Sequence, residues 1–146
     1  MSVHGVGYLV KIDNGLDSEL YCKILQEDLP ASVEYYGANL KDFVFQQDND
    51  PKHTVKCTKK YLTDNGIKVL EWPPQSPDLN PIEHLWAYLK RKLNGYERWP
   101  TSMHELWERA EKEWENIPPE LFVKLIESMP RRIQAVLRAK GGYTKY

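Results

Sequence analysis

The chain has 146 residues, 41% of them hydrophobic and 28% charged, with a formal net charge of −1. That length is one domain or part of one, and so balanced a charge excludes a global basic field, leaving local patches as the only source of nucleic-acid affinity. No apolar run approaches the ~20 residues of a membrane span, the first residues lack the basic-then-apolar layout of a signal peptide, and Cys22 and Cys57 follow neither disulfide nor zinc-ribbon spacing. A soluble intracellular protein with reduced thiols and no membrane contact is the expectation.

In chain order, residues 7–12 read as a strand closed by Asp13-Asn14-Gly15. From Asp17 the pattern turns helical, with a stripe of Leu20, Tyr21, Ile24, Leu25 and Leu29 that predicts a helix ending at Pro30. Residues 42–47, around Phe43-Val44-Phe45, predict a buried strand. Asp50 and Pro51 then resemble a helix cap and first helical position, leading to Val55, Tyr61 and Leu62 and a stop at Asn65-Gly66. Residues 67–71 predict a short strand. The stretch 73–81 carries prolines at 73, 74, 77 and 81, which suits a stiff loop that aims the next element.

Four helices follow. The first, 81–94, places Ile82, Leu85, Trp86, Leu89 and Leu93 on one face. The second opens at a Ser102/Glu105 capping box with a stripe of Met103, Leu106, Trp107, Ala110 and Trp114, expected to pack on the Leu85/Leu89 face. The third starts at Pro119 with Leu121, Phe122, Leu125 and Ile126, and the last at Pro130 with Ile133, Val136 and Leu137 before Gly141-Gly142. The tryptophans at 72, 86, 99, 107 and 114 are expected in the core. The order predicts an α/β arrangement with a helical C-terminal part.

Two carboxylates stand where rigid elements begin or end. Asp48 follows the 42–47 strand, and Glu83 falls in the first turn of the 81–94 helix. Carboxylates held so, with a third acid, suit a magnesium-dependent phosphoryl-transfer site, because Mg²⁺ takes hard oxygen ligands. Each also has a plain structural reading: Asn80 followed by Glu83 approximates a capping box, and Asp48 and Asp50 suit a strand end and a helix cap. His53 and Cys57 stand four apart without a second pair at zinc-ligand spacing. Lys52, Lys56, Lys59 and Lys60, and then Lys90, Arg91 and Lys92, read either as solvated faces or as contacts to a phosphate backbone.

Taken together, Gln47-Asp48-Asn49-Asp50-Pro51-Lys52-His53-Thr54, Trp72-Pro73 and Ser76-Pro77-Asp78-Leu79-Asn80-Pro81-Ile82-Glu83-His84-Leu85-Trp86 resemble the catalytic core of mariner-like DDE transposases of the Tc/mariner superfamily. The 34 residues between Asp48 and Glu83 agree with the Tc-like branch. Residues 7–13, Ser128-Met129-Pro130-Arg131-Arg132 and the ending Lys140-Gly141-Gly142-Tyr143-Thr144-Lys145-Tyr146 extend the likeness to nearly the whole chain.

The resemblance implies a ribonuclease-H-like fold in which three acids bind two Mg²⁺ ions for DNA cleavage and strand transfer. By position Asp48 is the second acid and Glu83 the third, with carboxylate oxygens expected within about 8 Å of one another to share those ions. Lys52, His53, Lys56, Lys59, Lys60, Lys90 and Arg91 are the implied DNA contacts. DNA is the implied partner, a homodimer a candidate assembly and the nucleus the implied location. The family's first catalytic Asp lies on an opening strand with no counterpart here, so the expectation is a fold lacking its first two strands, in which the 42–47 strand pairs with 67–71 and leaves its other edge open. Residues 1–94 are expected to form the partial endonuclease domain and 95–146 a helical extension, the chain being inactive alone. The alternatives are a non-catalytic nucleic-acid-binding or protein-interaction remnant, or a relic without function.

Overall fold

A computed structural model describes residues 1–142 and 144–146; Tyr143, within the ending matched to the family, lies outside the described residues. The described residues form two compact units, Val10–Gln75 in one and Met1–Leu9 with Ser76–Tyr146 in the other.

In the Val10–Gln75 unit, α1 (Ser18–Tyr35) starts where the Asp17 carboxylate accepts the Leu20 N–H at 2.8 Å. The helix runs through Pro30 instead of ending there. Proline forfeits one N–H bond, but the buried stripe Cys22, Leu25 and Val33 extends past it, and burial of that face holds the last turn until Gly37 at φ 64° stops it. β1 (Val44–Phe45) and β2 (Lys68–Val69) pair in parallel with Val44 opposite Lys68, as expected for 42–47 and 67–71, although the ladder is only two residues long. Val44 is exposed.

Between them, α2 (Lys56–Asp64) begins five residues later than Asp50 and Pro51 suggest. Asp50 caps a turn, not a helix: its carboxylate accepts the Lys52 N–H at 2.8 Å and its carbonyl the His53 N–H at 2.9 Å. Val55 then returns to extended backbone. Leu25, Leu62 and Ile67 make this unit's core, with Tyr21, Leu29, Leu40, Phe45 and Tyr61 packed around it.

The strand expected at 7–12 does not form among the described residues; 7–9 belong to the other unit and 10–12 to the Val10–Gln75 unit. Gly7 adopts φ 73°, which interrupts an extended run, and its carbonyl accepts the Trp114 indole N–H at 2.9 Å in place of a strand partner. Met1, Val6 and Leu9 are spent on the helical core instead. A 3₁₀ turn, Pro77–Leu79, leads into α3 (Ile82–Asn94), followed by α4 (Met103–Glu115), α5 (Pro119–Glu127) and α6 (Met129–Arg138). Leu85, Leu89, Trp114, Ile117, Phe122 and Leu125 form the core, and Trp86 stacks on Trp114 with centroids 5.0 Å apart.

Ser102 accepts the Glu105 N–H as the capping box predicts, while the Glu105 carboxylate reaches past Ser102 to the Thr101 N–H at 2.8 Å. Three inward assignments change. Met103, the first residue of α4, is exposed; Trp99 is 77% exposed in the loop before α4; and α6 turns Arg132 inward while Ile133 and Leu137 face out. No described helix is long and apolar enough to cross a membrane.

Candidate active site

Asp48 lies just beyond β1, on a segment that the following turn folds back upon. Its Oδ1 accepts two donors, the Asp50 N–H at 3.0 Å and the His53 Nδ1–H at 2.6 Å. A carboxylate that accepts from Nδ1 fixes the imidazole proton on that nitrogen. Tyr21 of α1 stacks on the His53 ring at 4.0 Å, and its hydroxyl donates to Gln47 Oε1 at 2.8 Å. Gln47 in turn donates to the His53 carbonyl at 3.3 Å. Burial, reinforced by the negative charges of Asp48 and Asp50, pushes the Tyr21 phenol well above its ordinary range, so it remains a neutral donor. The Asp48 side chain is nevertheless 56% exposed, with both contacts on Oδ1 and Oδ2 left uncommitted. Asn49 donates to the Trp72 carbonyl at 2.7 Å, tying this loop to the segment after β2.

Glu83 is exposed in the first turn of α3. The capping-box reading fails here: α3 takes Pro81 as its N-cap, and the Glu83 carboxylate makes no hydrogen bond or ion pair among the described residues. Beside it, His84 is held below its usual value by burial first and then by the positive charges of Arg132 and Arg91.

Both carboxylates therefore present exposed oxygens, the donor chemistry that a hard divalent cation takes. Among the described residues no three His, Cys, Asp or Glu side chains gather into a metal site, and His53 is bound to Asp48 with no zinc cluster around it.

The cationic residues separate into two groups. Lys52 is tied to Asp50 at 2.8 Å, in the turn before α2 and not on the helix as the sequence suggests, and its hydrogen bonds hold the Asp50 carboxyl below the usual range. Lys60 is tied to Asp64 at 2.5 Å, and His53 is engaged by Asp48. Lys56 and Lys59 make no ion pair among the described residues and line a shallow open hollow with Thr54, Lys60, Thr63 and Asp64. Lys90 and Arg91 are exposed on α3, equally without an ion pair there. Three contributors escape a reading of the sequence. Tyr21 sits in an apolar stripe and passes for core, Gln47 lies inside the matched motif without a stated role, and Arg132 is betrayed only by its place among Met129, Ile133 and Val136 on an amphipathic helix.

Comparison with known proteins bears on the whole arrangement. The DDE superfamily endonuclease family matches residues 23–106, a stretch that includes both Asp48 and Glu83. The Tc1 transposase of Caenorhabditis elegans is 42% identical over 97% of this chain, the Tcb2 transposase of Caenorhabditis briggsae 40% over 94%, and the Tc3 transposase of Caenorhabditis elegans 32% over 92%. The chain spans about half the length of the first two relatives, 50% and 49%, and 40% of the third. Among solved structures, the Mos1 transposase catalytic domain in complex with Raltegravir and Mn superposes with a TM-score of 0.87 at 22% identity, covering 99% of this chain and 74% of that one. The Mos1 mariner catalytic domain superposes at 0.85 with 24% identity, covering 99% and 73%. The fold is thus ribonuclease-H-like, here helix-rich with a small parallel sheet. With that family match over more than half its length, the chain belongs to the DDE superfamily endonucleases, and the relatives it resembles are Tc/mariner transposases.

Proposed function

We propose that this chain contributes Asp48 and Glu83 as the second and third metal-binding acids of a DNA-transposition site, which cleaves DNA and joins strands with Mg²⁺ as the working ion. The observation that carries the reading is the uncommitted Glu83 carboxylate: it satisfies no backbone donor among the described residues, which leaves it only the weak favourable pull of the helix dipole as a structural role and both oxygens open to an ion. Bound divalent ions would activate the attacking oxygen and stabilise the leaving one. The chain's own part is to hold the acids. His53 and the Asp50 N–H fix Oδ1 of Asp48 and leave Oδ2 for an ion, while Tyr21 and Gln47 keep the imidazole in place. Lys56 and Lys59, with Lys90 and Arg91, supply unpaired cations for a phosphate backbone, whereas Lys52, Lys60 and His53 each sit beside an acid that offsets part of the positive charge they would offer it. The setting is nuclear DNA, with a second copy of the chain as the candidate partner.

The test is Mn²⁺ binding followed by the paramagnetic signal of the free ion, on the wild-type chain and on Asp48→Asn and Glu83→Gln. Each substitution is expected to weaken binding by at least about tenfold. Affinity unchanged by both would remove the acids as ligands and leave a basic surface that binds nucleic acid without chemistry. Cleavage of duplex DNA bearing matching transposon ends, assayed with Mg²⁺ on the same three proteins, then shows whether these residues suffice for turnover.

A further inference from the structure

The guanidinium of Arg132 is the largest fully buried side chain of the described residues, at 2% exposure, and no carboxylate among them lies within ion-pair distance of it. Burial lowers the Arg132 pKa, and the charges of Asp78 and Tyr146, beyond ion-pair distance, offset that only in part; a cation so placed is costly to bury unless its donors are well used. Arg132 spends its donors on two elements. Nε donates to Ser128 Oγ at 2.7 Å, one turn back on its own helix, and Nη1 donates to the Asp78 carbonyl at 2.8 Å, in the 3₁₀ turn before α3. Its outer face lies 4.8 Å from the Tyr146 ring centroid, and Thr144 Oγ1 donates to the Asp78 carboxylate at 3.0 Å. The turn so gripped passes directly into α3: Leu79 and Pro81 are buried, the Asn80 N–H donates to the Pro77 carbonyl at 2.9 Å and the Glu83 N–H to the Asn80 carbonyl at 3.3 Å. Because α3 has a proline at its N-cap and no side-chain acceptor there, the direction of its first turn is inherited from Pro77–Leu79.

We propose that Arg132 is a positioning residue for Glu83: its buried two-pronged contact, closed over by Thr144 and Tyr146, holds the 77–79 turn and thereby the first turn of α3 where the Glu83 carboxylate must stand. The proposal rests on the reading of Glu83 as a metal ligand, and its test keeps the two apart. Amide hydrogen exchange is measured on the metal-free 146-residue chain as wild type, Arg132→Lys, Arg132→Met and Tyr146→Leu. A lysine keeps the charge but cannot reach Ser128 and Asp78 together. Both Arg132 variants are expected to speed exchange across residues 79–84 by about tenfold while α5 and residues 85–89 keep wild-type protection. Tyr146→Leu should do the same more weakly, and decides the matter if the Arg132 variants lose protection throughout the unit. In parallel, Mn²⁺ affinity in Arg132→Lys is expected to fall toward that of Glu83→Gln. Wild-type exchange at 79–84 in a folded Arg132→Lys chain overturns the proposal, as does wild-type Mn²⁺ affinity in that variant when Glu83→Gln has lost it. A Glu83→Gln chain that binds Mn²⁺ as tightly as wild type instead refutes the ligand reading, with the exchange pattern still reporting whether Arg132 holds the turn.

Discussion

Thr58 is fully buried on α2, and its hydroxyl has no hydrogen-bond partner among the described residues. An unsatisfied buried hydroxyl costs roughly 1–3 kcal/mol, and valine replaces it with a methyl of the same shape at similar helix propensity. Thr58→Val should therefore raise stability by about 1 kcal/mol, read as a higher urea midpoint at unchanged slope. Glu105 shows the opposite economy. The Thr101 backbone N–H first, then the Thr101 hydroxyl and Arg109, hold its carboxyl at about 2, against an ordinary 4.5. A depressed folded value stabilises the native state above the unfolded value and loses that contribution as pH falls through the folded one. The melting-temperature gap between wild type and Glu105→Gln should be full at neutral pH and close between pH 4.5 and about 2.

At the scale of elements, α4 is held by one residue more than by its stripe. Trp114 is buried, stacks on Trp86 and donates to the Gly7 carbonyl, so Trp114→Ala should cost about 3–5 kcal/mol by urea unfolding, whereas Met103→Ala, at an exposed helix start, should cost little. The helices from 81 onward are legible in the sequence because period, cap and proline agree there: Ser102, Pro119 and the Leu85/Leu89 spacing each point to one structure. Where one local signal stood alone, packing overrode it. Pro30 did not end α1 because Val33 lies buried beyond it, and Asp50-Pro51 did not start α2 because Asp50 served a turn that returns His53 to Asp48. The strand at 7–12 failed for two reasons together, the left-handed turn at Gly7 and the lack of a neighbouring edge, which alternation cannot supply. The proposed site divides the same way. Asp48 and Glu83, the proposed acids, follow from the motif, while Arg132, proposed to position Glu83, needs the turn of α6 in hand before its burial can be known.

For the molecule as a whole, a net charge of −1 predicts that the proposed binding to DNA rests on a few cations and not on the global field. Affinity for duplex DNA should fall linearly on a log–log plot against salt, and Lys56→Ala, Lys59→Ala, Lys90→Ala and Arg91→Ala should each lower the slope by about 1. Lys60→Ala should lower it less, because Asp64 already neutralises that ammonium. The placement of the five tryptophans has an optical consequence. Trp86 and Trp114 lie face to face at 5.0 Å with an interplanar angle of 20°, a geometry for exciton coupling in circular dichroism, whereas Trp99 stands almost wholly in water between α3 and α4. The native emission spectrum should then carry a red, iodide-quenchable shoulder that Trp99→Phe removes without disturbing the couplet, giving the α3–α4 loop a reporter of its own colour.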